Sequence, residues 1–106
     1  MVPFTEARND DAGRPSAVLK PSDCRHVYAL AAGAPVLVTL PRGTRTILFS
    51  ANTDLWVQYG GPVTLPSATD TSGAAPELNP GARAVSVSLI GIVSDRDGLA
   101  NLAFYR

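Results

Sequence analysis

The chain has one cysteine and one histidine, and these stand two positions apart as Cys24 and His26. A thiol beside an imidazole can act as a nucleophile and its general base, but this chemistry also needs an orienting third group and an oxyanion hole. The sequence offers no third group that can be named. We favour the other interpretation, a free buried thiol beside a surface or interface histidine. We therefore predict that the protein is not an enzyme and has no catalytic residue.

The acidic residues fall in turns and loops and form no known binding motif. The segment 95–98 with Asn101 has part of the pattern of a calcium loop, but it lacks further oxygen ligands. Asp-Gly between two strands favours a hairpin turn, which we predict there, with a cation site as the alternative. We interpret the acidic residues of the turns and the long loop as solvated and not as a carboxylate pair for glycoside hydrolysis, namely Asp54, Asp70, Glu77, Asp95 and Asp97. The absence of nucleotide-binding and metal-binding motifs predicts no cofactor and no metal.

The composition narrows the classes of partner. Of the 106 residues 17% are charged, and nine basic residues balance nine acidic ones. Proteins that neutralise phosphates are usually basic, so we predict no direct contact with nucleic acid. The apolar runs are far shorter than the ~18 residues of a membrane span, which predicts no membrane contact. A single cysteine excludes an internal disulfide.

Short apolar runs separated by turn formers dominate the chain from residue 27 onward. Such runs are rich in β-branched and aromatic residues and lack a helical period, which predicts an antiparallel β-sandwich or jelly roll over residues 26–106. Residues 1–25 contain three prolines and are predicted to be an extended N-terminal arm. Residues 60–82 are predicted to be one long loop. The predicted strands cover 27–31, 36–40, 46–51, 55–59, 84–93 and 99–105, and shorter ones are possible at 16–19 and 63–65.

Alternation along the strands leaves apolar side chains on the faces that point away from the predicted core, namely those of Leu37, Leu48 and Trp56. A small sandwich with such a surplus needs a cover, so we predict a homo-oligomer, either a dimer or a trimer. Trp56 is either an interface anchor or sugar platform, or it is covered by the long loop, which the average burial of large aromatics favours. Three arginines near turns are predicted either to form ion pairs between subunits or to be solvated. The predicted interface residues are Leu37, Arg42, Arg45, Leu48, Trp56 and Arg83.

The stretch RTILFSANTDLWVQYGG at 45–61 resembles the paired strands of small virion proteins of tailed bacteriophages. The loop exit at 77–83 and the ending at 102–105 add to this resemblance, which spans residues 27–106. It implies a structural protein of a phage particle, most similar to the small β-sandwich cement proteins that decorate phage heads. The implied partners are the major capsid protein or other virion proteins, and the implied location is the virion, after assembly in the host cytoplasm.

Other roles stay open beside the decoration protein. A head–tail connector, a spike-base component and a tail component fit the same resemblance. A carbohydrate-binding or receptor-binding module is a further alternative, in which Trp56 and Tyr59 form the binding surface.

Overall fold

The computed structural model describes residues 1–9 and 15–106, with side chains at 1–5 and 18–106. These residues form ten strands and no helix, so the predicted all-β class is confirmed. The described part accordingly holds no helix long and apolar enough to cross a membrane. The strands are β1 (Thr5–Asn9), β2 (Pro15–Leu19), β3 (Arg25–Leu30), β4 (Val36–Thr39), β5 (Thr46–Ala51), β6 (Leu55–Tyr59), β7 (Glu77–Leu78), β8 (Ala82–Ala84), β9 (Leu89–Ser94) and β10 (Gly98–Tyr105).

Eight of the strands form two four-stranded antiparallel sheets that pack face to face. Sheet I has the order β3-β10-β5-β8, and sheet II has the order β4-β9-β6-β7. From β3 onward, every connection crosses between the sheets except the one from β6 to β7, which are neighbours in sheet II. This arrangement is a β-sandwich with the strand order of a jelly roll, as the sequence predicted.

The core lies between the sheets and takes alternate side chains from each strand. Val57 points inward and is fully buried, whereas its neighbour Trp56 points outward and is half-buried. The faces predicted from alternation are therefore confirmed for this strand. Each large apolar side chain contributes about 1.5–3 kcal/mol when it is fully buried. The fully buried aliphatic and aromatic side chains of the core include Ile47, Leu55, Val57, Ile90, Ile92, Leu102 and Phe104.

The connection between β6 and β7 folds back over the outer face of sheet II. Val63 is buried there, and its backbone lies directly above Gly91 of β9. The prediction of a strand at 63–65 is wrong, because this segment packs on top of the sheet and joins neither sheet as a strand. The long loop itself is present, although its last part contains β7 and leads into β8.

Two strand connections differ from the sequence prediction. The predicted strand at 84–93 is broken, because the chain leaves sheet I after β8 and enters sheet II at β9. The turn at 95–98 exists, but the prediction of a hairpin is wrong, since β9 and β10 belong to different sheets. The Asp97 carboxylate accepts a hydrogen bond of 2.9 Å from the Ala32 backbone N–H, which ties this arch to the neighbouring turn.

The N-terminal region forms a two-stranded ribbon of β1 and β2 that pairs with neither sheet. Its base lies on the outer face of sheet I, where the Phe4 ring meets the Tyr105 ring edge-on at 5.0 Å. The Tyr105 hydroxyl also donates a hydrogen bond of 2.7 Å to the Lys20 carbonyl. Both ends of the predicted arm therefore contact the sandwich, and the short strand predicted at 16–19 is part of β2. Residues 10–14 of the predicted arm lie outside the described residues.

Candidate functional site

The exposed apolar side chains of the described residues mark three surfaces. One pair lies on the ribbon, one on the outer face of sheet I and one on the outer face of sheet II. Monomeric proteins expose single apolar residues routinely, so the count of such residues does not by itself identify a binding surface. The three pairs are Val18 and Leu19, Val27 and Leu99, and Leu37 and Leu78.

The outer face of sheet I is apolar and almost uncharged. Val27 and Leu99 line a concavity of about 320 Å³, together with the polar side chains of Ser50 and Asn101. Every residue of this face lies in the described part of the chain, and Arg25 on the edge strand β3 is its one charged residue. One end of the face is covered by the ribbon base on Tyr105, and the concavity lies at the other, open end.

The outer face of sheet II holds two of the predicted interface residues. Leu37 is 58% exposed on the edge strand β4. Trp56 is half-buried, and its cross-strand neighbours are Val93 and Leu78. The sequence predicted that Trp56 is either covered by the long loop or exposed as an anchor or sugar platform. The half-buried side chain matches neither interpretation fully. Trp56 and Tyr59 point to opposite faces of sheet II, so they cannot form one sugar platform together.

Arg83 is engaged within the chain. Its guanidinium donates hydrogen bonds of 3.0 and 3.1 Å to the two carboxylate oxygens of Glu77, which also accepts one of 2.7 Å from the Tyr59 hydroxyl. Since β8 belongs to sheet I and β7 to sheet II, this cluster joins the sheets at one edge. The Arg83 guanidinium, followed by the Tyr59 hydroxyl, holds the pKa of Glu77 below its usual value. Burial, followed by the bond to Glu77, raises the pKa of Tyr59 well above its usual value.

The other predicted interface residues lie apart from one another. Arg42 and Arg45 are exposed in the turn between β4 and β5, and the Arg45 backbone N–H donates a hydrogen bond of 2.8 Å to the Tyr105 carbonyl. Leu48 is half-buried on the outer face of sheet I, opposite Ala103. The six predicted residues therefore fall on both sheets, one turn and one edge, and the structure does not bring them into one patch.

The pair of Cys24 and His26 has a structural setting. The Cys24 backbone carbonyl accepts hydrogen bonds from the Phe104 N–H and the Ser22 hydroxyl, both 2.9 Å. His26 lies with its Nδ1 atom 3.2 Å from the Tyr28 hydroxyl and its ring edge-on to Phe104 at 5.0 Å. These contacts fix the entry into β3. In the part of the chain that the structure describes, no three metal-binding side chains come together.

A polar cleft of about 580 Å³ lies where the arches at 52–54, 79–81 and 95–97 meet at one end of the sandwich. Asn79 has a left-handed backbone conformation with φ of 50°, and its side chain connects two of these arches. Its side-chain oxygen accepts a hydrogen bond of 2.8 Å from the Leu55 N–H, and its amide group donates one of 2.9 Å to Asp54. The polar side chains that line the cleft are Ser50, Asn52, Thr53, Asp54, Asn79 and Arg96.

No sequence pattern predicted this cleft. Asn-Pro-Gly at 79–81 does mark a turn. However, only the strand order brings that turn beside residues 52–54 and Arg96, which are distant in sequence. The cleft combines a carboxylate, amide groups and a guanidinium, and such a mixture of donors and acceptors suits an uncharged polyhydroxylated ligand.

The chain was also compared with known proteins. No family model, no curated protein and no solved structure matches it. The resemblance to small virion proteins therefore stays a prediction.

Proposed function

We propose that this chain is a structural protein of a bacteriophage particle, a head decoration or cement protein that binds the capsid and stabilises it. The observation that carries the proposal is the placement of exposed apolar pairs on both outer faces of the sandwich and on the ribbon. A protein with contact surfaces on opposite sides can bind a shell with one side and further copies with another. In this proposal the protein is not an enzyme, and its partners are virion proteins.

Two general features support this role. Jelly rolls are common in viral capsid and lectin domains. Because one fold supports many functions, the jelly-roll strand order is consistent with a capsid role but does not by itself establish it. The net charge of zero lets many copies crowd together on a shell with little electrostatic repulsion. Repetition over a symmetric shell also strengthens individually weak contacts through effective concentration.

The outer side of sheet II, including the loop at 60–76 that lies on it, is the surface that we assign to the shell. Leu37 and Leu78 lie on the two edge strands of this sheet, with the half-buried Trp56 beside Leu78. The exposed Arg42 and Arg45 lie in the turn that leaves β4, the edge strand of this sheet. A capsid patch of apolar residues with a few carboxylates at its rim would match this surface.

Mass spectrometry of purified phage particles from the source of this sequence tests the role, because the protein should be present in a fixed copy number per particle. Its absence from particles would remove the proposal. Adding back Leu37→Asp protein to particles that lack the chain should give weak binding. Ala34→Asp, which adds the same charge at an exposed turn, should bind like the native protein.

Carbohydrate binding is a second candidate function, which the polar cleft favours. Arg96 lines the cleft, is exposed and pairs only loosely with Asp95, at 3.3 Å. Arg96→Ala should therefore leave the fold intact and lower the affinity for a bound glycan about tenfold or more. Arg42→Ala, at the opposite end of β5, is the matched control. If the native protein retains no glycan on an array, this candidate function is excluded.

A further inference from the structure

The apolar concavity of sheet I and the polar cleft adjoin each other. Ser50, Ala51 and Asn52 line both of them, and all three residues are exposed. Ser50 and Ala51 are small, and the Asn52 side-chain oxygen is held at 2.8 Å by the Leu99 N–H of β10. No bulky side chain of this segment separates the two cavities, so together they form one groove with a polar part and an apolar part.

The groove runs across the strands of sheet I. Ser50 of β5, Asn101 of β10 and Val27 of β3 lie side by side in register. These three positions span two spacings between strands, or about 10 Å. The cleft continues on the other side of β5, where the Gly81 carbonyl accepts a hydrogen bond of 2.8 Å from the Phe49 N–H. An occupant that fills the whole groove is therefore extended and is larger than a single small ring.

The charges along the groove favour a neutral occupant. The described residues that line the concavity are all uncharged. In the cleft, the Asp54 carboxylate and the Arg96 guanidinium supply one charge of each sign. A charged ligand would face a like charge at one of these two groups, whereas a neutral ligand can accept a hydrogen bond from Arg96 and donate one to Asp54.

Polar groups remain available in both parts of the groove. Asn79 donates to one carboxylate oxygen of Asp54, and the second oxygen forms no hydrogen bond with a described residue. In the concavity, the Asn101 side chain and the amide NH₂ of Asn52 form no hydrogen bond within the described part of the chain. These donors and acceptors suit hydroxyl groups, because each hydroxyl both donates and accepts.

The concavity distinguishes between two kinds of neutral ligand. Val27 and Leu99 are 60% and 50% exposed and can bury apolar surface against an alkyl chain or against the C–H face of a sugar ring. The side chains of Ser50, Asn52 and Asn101 lie beside them. An alkyl chain would remove these polar groups from water without a partner, which costs free energy. A sugar ring instead offers hydroxyls to the polar groups and C–H groups to the apolar ones.

We infer that the groove binds an extended neutral oligosaccharide, with one sugar ring in the polar cleft and a following ring packed on Val27 and Leu99. The Asn101 side chain binds hydroxyls of that second ring. The inference rests on the second candidate function, glycan binding in the cleft, and adds that the affinity depends on the length of the sugar chain. A monosaccharide uses the cleft alone.

Neutral oligosaccharides of one to six sugar units, built from glucose, galactose, mannose or N-acetylglucosamine, are the probes. For the series that an array retains best, NMR titration should show an affinity that rises about tenfold or more from one unit to three. Leu99→Ala and Asn101→Ala should each remove most of this rise and leave the affinity for the monosaccharide unchanged. Arg96→Ala should lower both affinities. Leu37→Ala, an exposed leucine on sheet II, is the matched control and should bind like the native protein.

The outcomes separate this inference from the candidate function on which it rests. An affinity independent of chain length, or native trisaccharide binding by Leu99→Ala, would overturn the inference and leave the cleft as a site for a single sugar. Octyl glucoside below its critical micelle concentration tests the alkyl alternative, and tighter binding of this probe than of the trisaccharide would also overturn it. Retention of charged glycans alone would overturn the inference but not glycan binding. Retention of no glycan would exclude both.

Discussion

Gly91 and Val63 are in backbone contact across the outer face of sheet II. A Cβ atom placed on Gly91 would lie 2.7 Å from the Val63 backbone nitrogen and 2.9 Å from the Gly61 carbonyl oxygen. Backbone atoms cannot rotate away as a flexible side chain can. The glycine in the middle of β9 therefore lets the loop at 60–76 lie flat on the sheet and bury Val63.

We expect Gly91→Ala to destabilise the protein by about 1–3 kcal/mol, the usual cost of inserting a methyl group where no space exists. The matched control is Gly81→Ala, because no atom lies within 4 Å of the added Cβ there. The control should change the free energy of unfolding by less than about 0.5 kcal/mol. Urea unfolding of both variants measures the difference. Equal effects in the two variants would show that the contact with Val63 does not matter.

The Gly91 contact also shows how far the sequence could predict this fold. Alternation identified the strands and the face of Val57 because burial on one side leaves a period of two residues. The same alternation could not show that the run at 84–93 changes sheets, since an apolar side chain points into the core from either sheet. The role of Gly91 depends on a loop that returns from elsewhere in the chain, and no local pattern predicts such a contact.

The candidate surfaces were predicted in part. Leu37, Leu48 and Trp56 were placed correctly on outer faces, because each interrupts the polar side of its strand. Arg83 was expected to be a candidate for a contact between subunits, but it pairs with Glu77 of the same chain. Six positions separate these residues, and only the crossover from sheet II to sheet I brings their charges together.

Asn79 tests the organisation of the polar cleft. Asn79→Ala should destabilise the protein by about 1–3 kcal/mol, because it removes the acceptor for the Leu55 N–H and places alanine in a left-handed conformation. Asn79→Gly should cost less, since glycine adopts a positive φ freely but restores no hydrogen bond. Thermal unfolding orders the three proteins. If both variants lost the same stability, backbone strain at this position would be excluded.

The cluster of Glu77, Arg83 and Tyr59 predicts a dependence of stability on pH. Because the folded pKa of Glu77 is below its ordinary value of 4.5, the carboxylate stabilises the fold fully above that pH. This contribution is lost as the pH falls through the folded pKa. The difference in stability between native protein and Glu77→Gln should therefore be constant near neutral pH and shrink in acid.

Urea midpoints measured across a series of pH values check this expectation. Asp95→Asn is the matched control, because it removes one carboxylate of an exposed ion pair whose atoms lie 3.3 Å apart. Its effect should be smaller than that of Glu77→Gln at neutral pH, since Glu77 also holds Tyr59 and joins two sheets. A difference that grew as the pH fell would contradict the assigned direction of the pKa shift.

The response to salt distinguishes apolar from ionic binding to the particle. Raising the salt from about 0.1 M to about 1 M shortens the Debye length from about 10 Å to about 3 Å, so contacts between exposed charges weaken strongly. If Leu37 and Leu78 carry the contact with the shell, binding should fall by less than about twofold over this range. Arg42→Gln and Arg45→Gln should bind like the native protein for the same reason. Cosedimentation with particles at each salt concentration measures this, and a steep loss that these two variants abolish would assign the contact to the arginines.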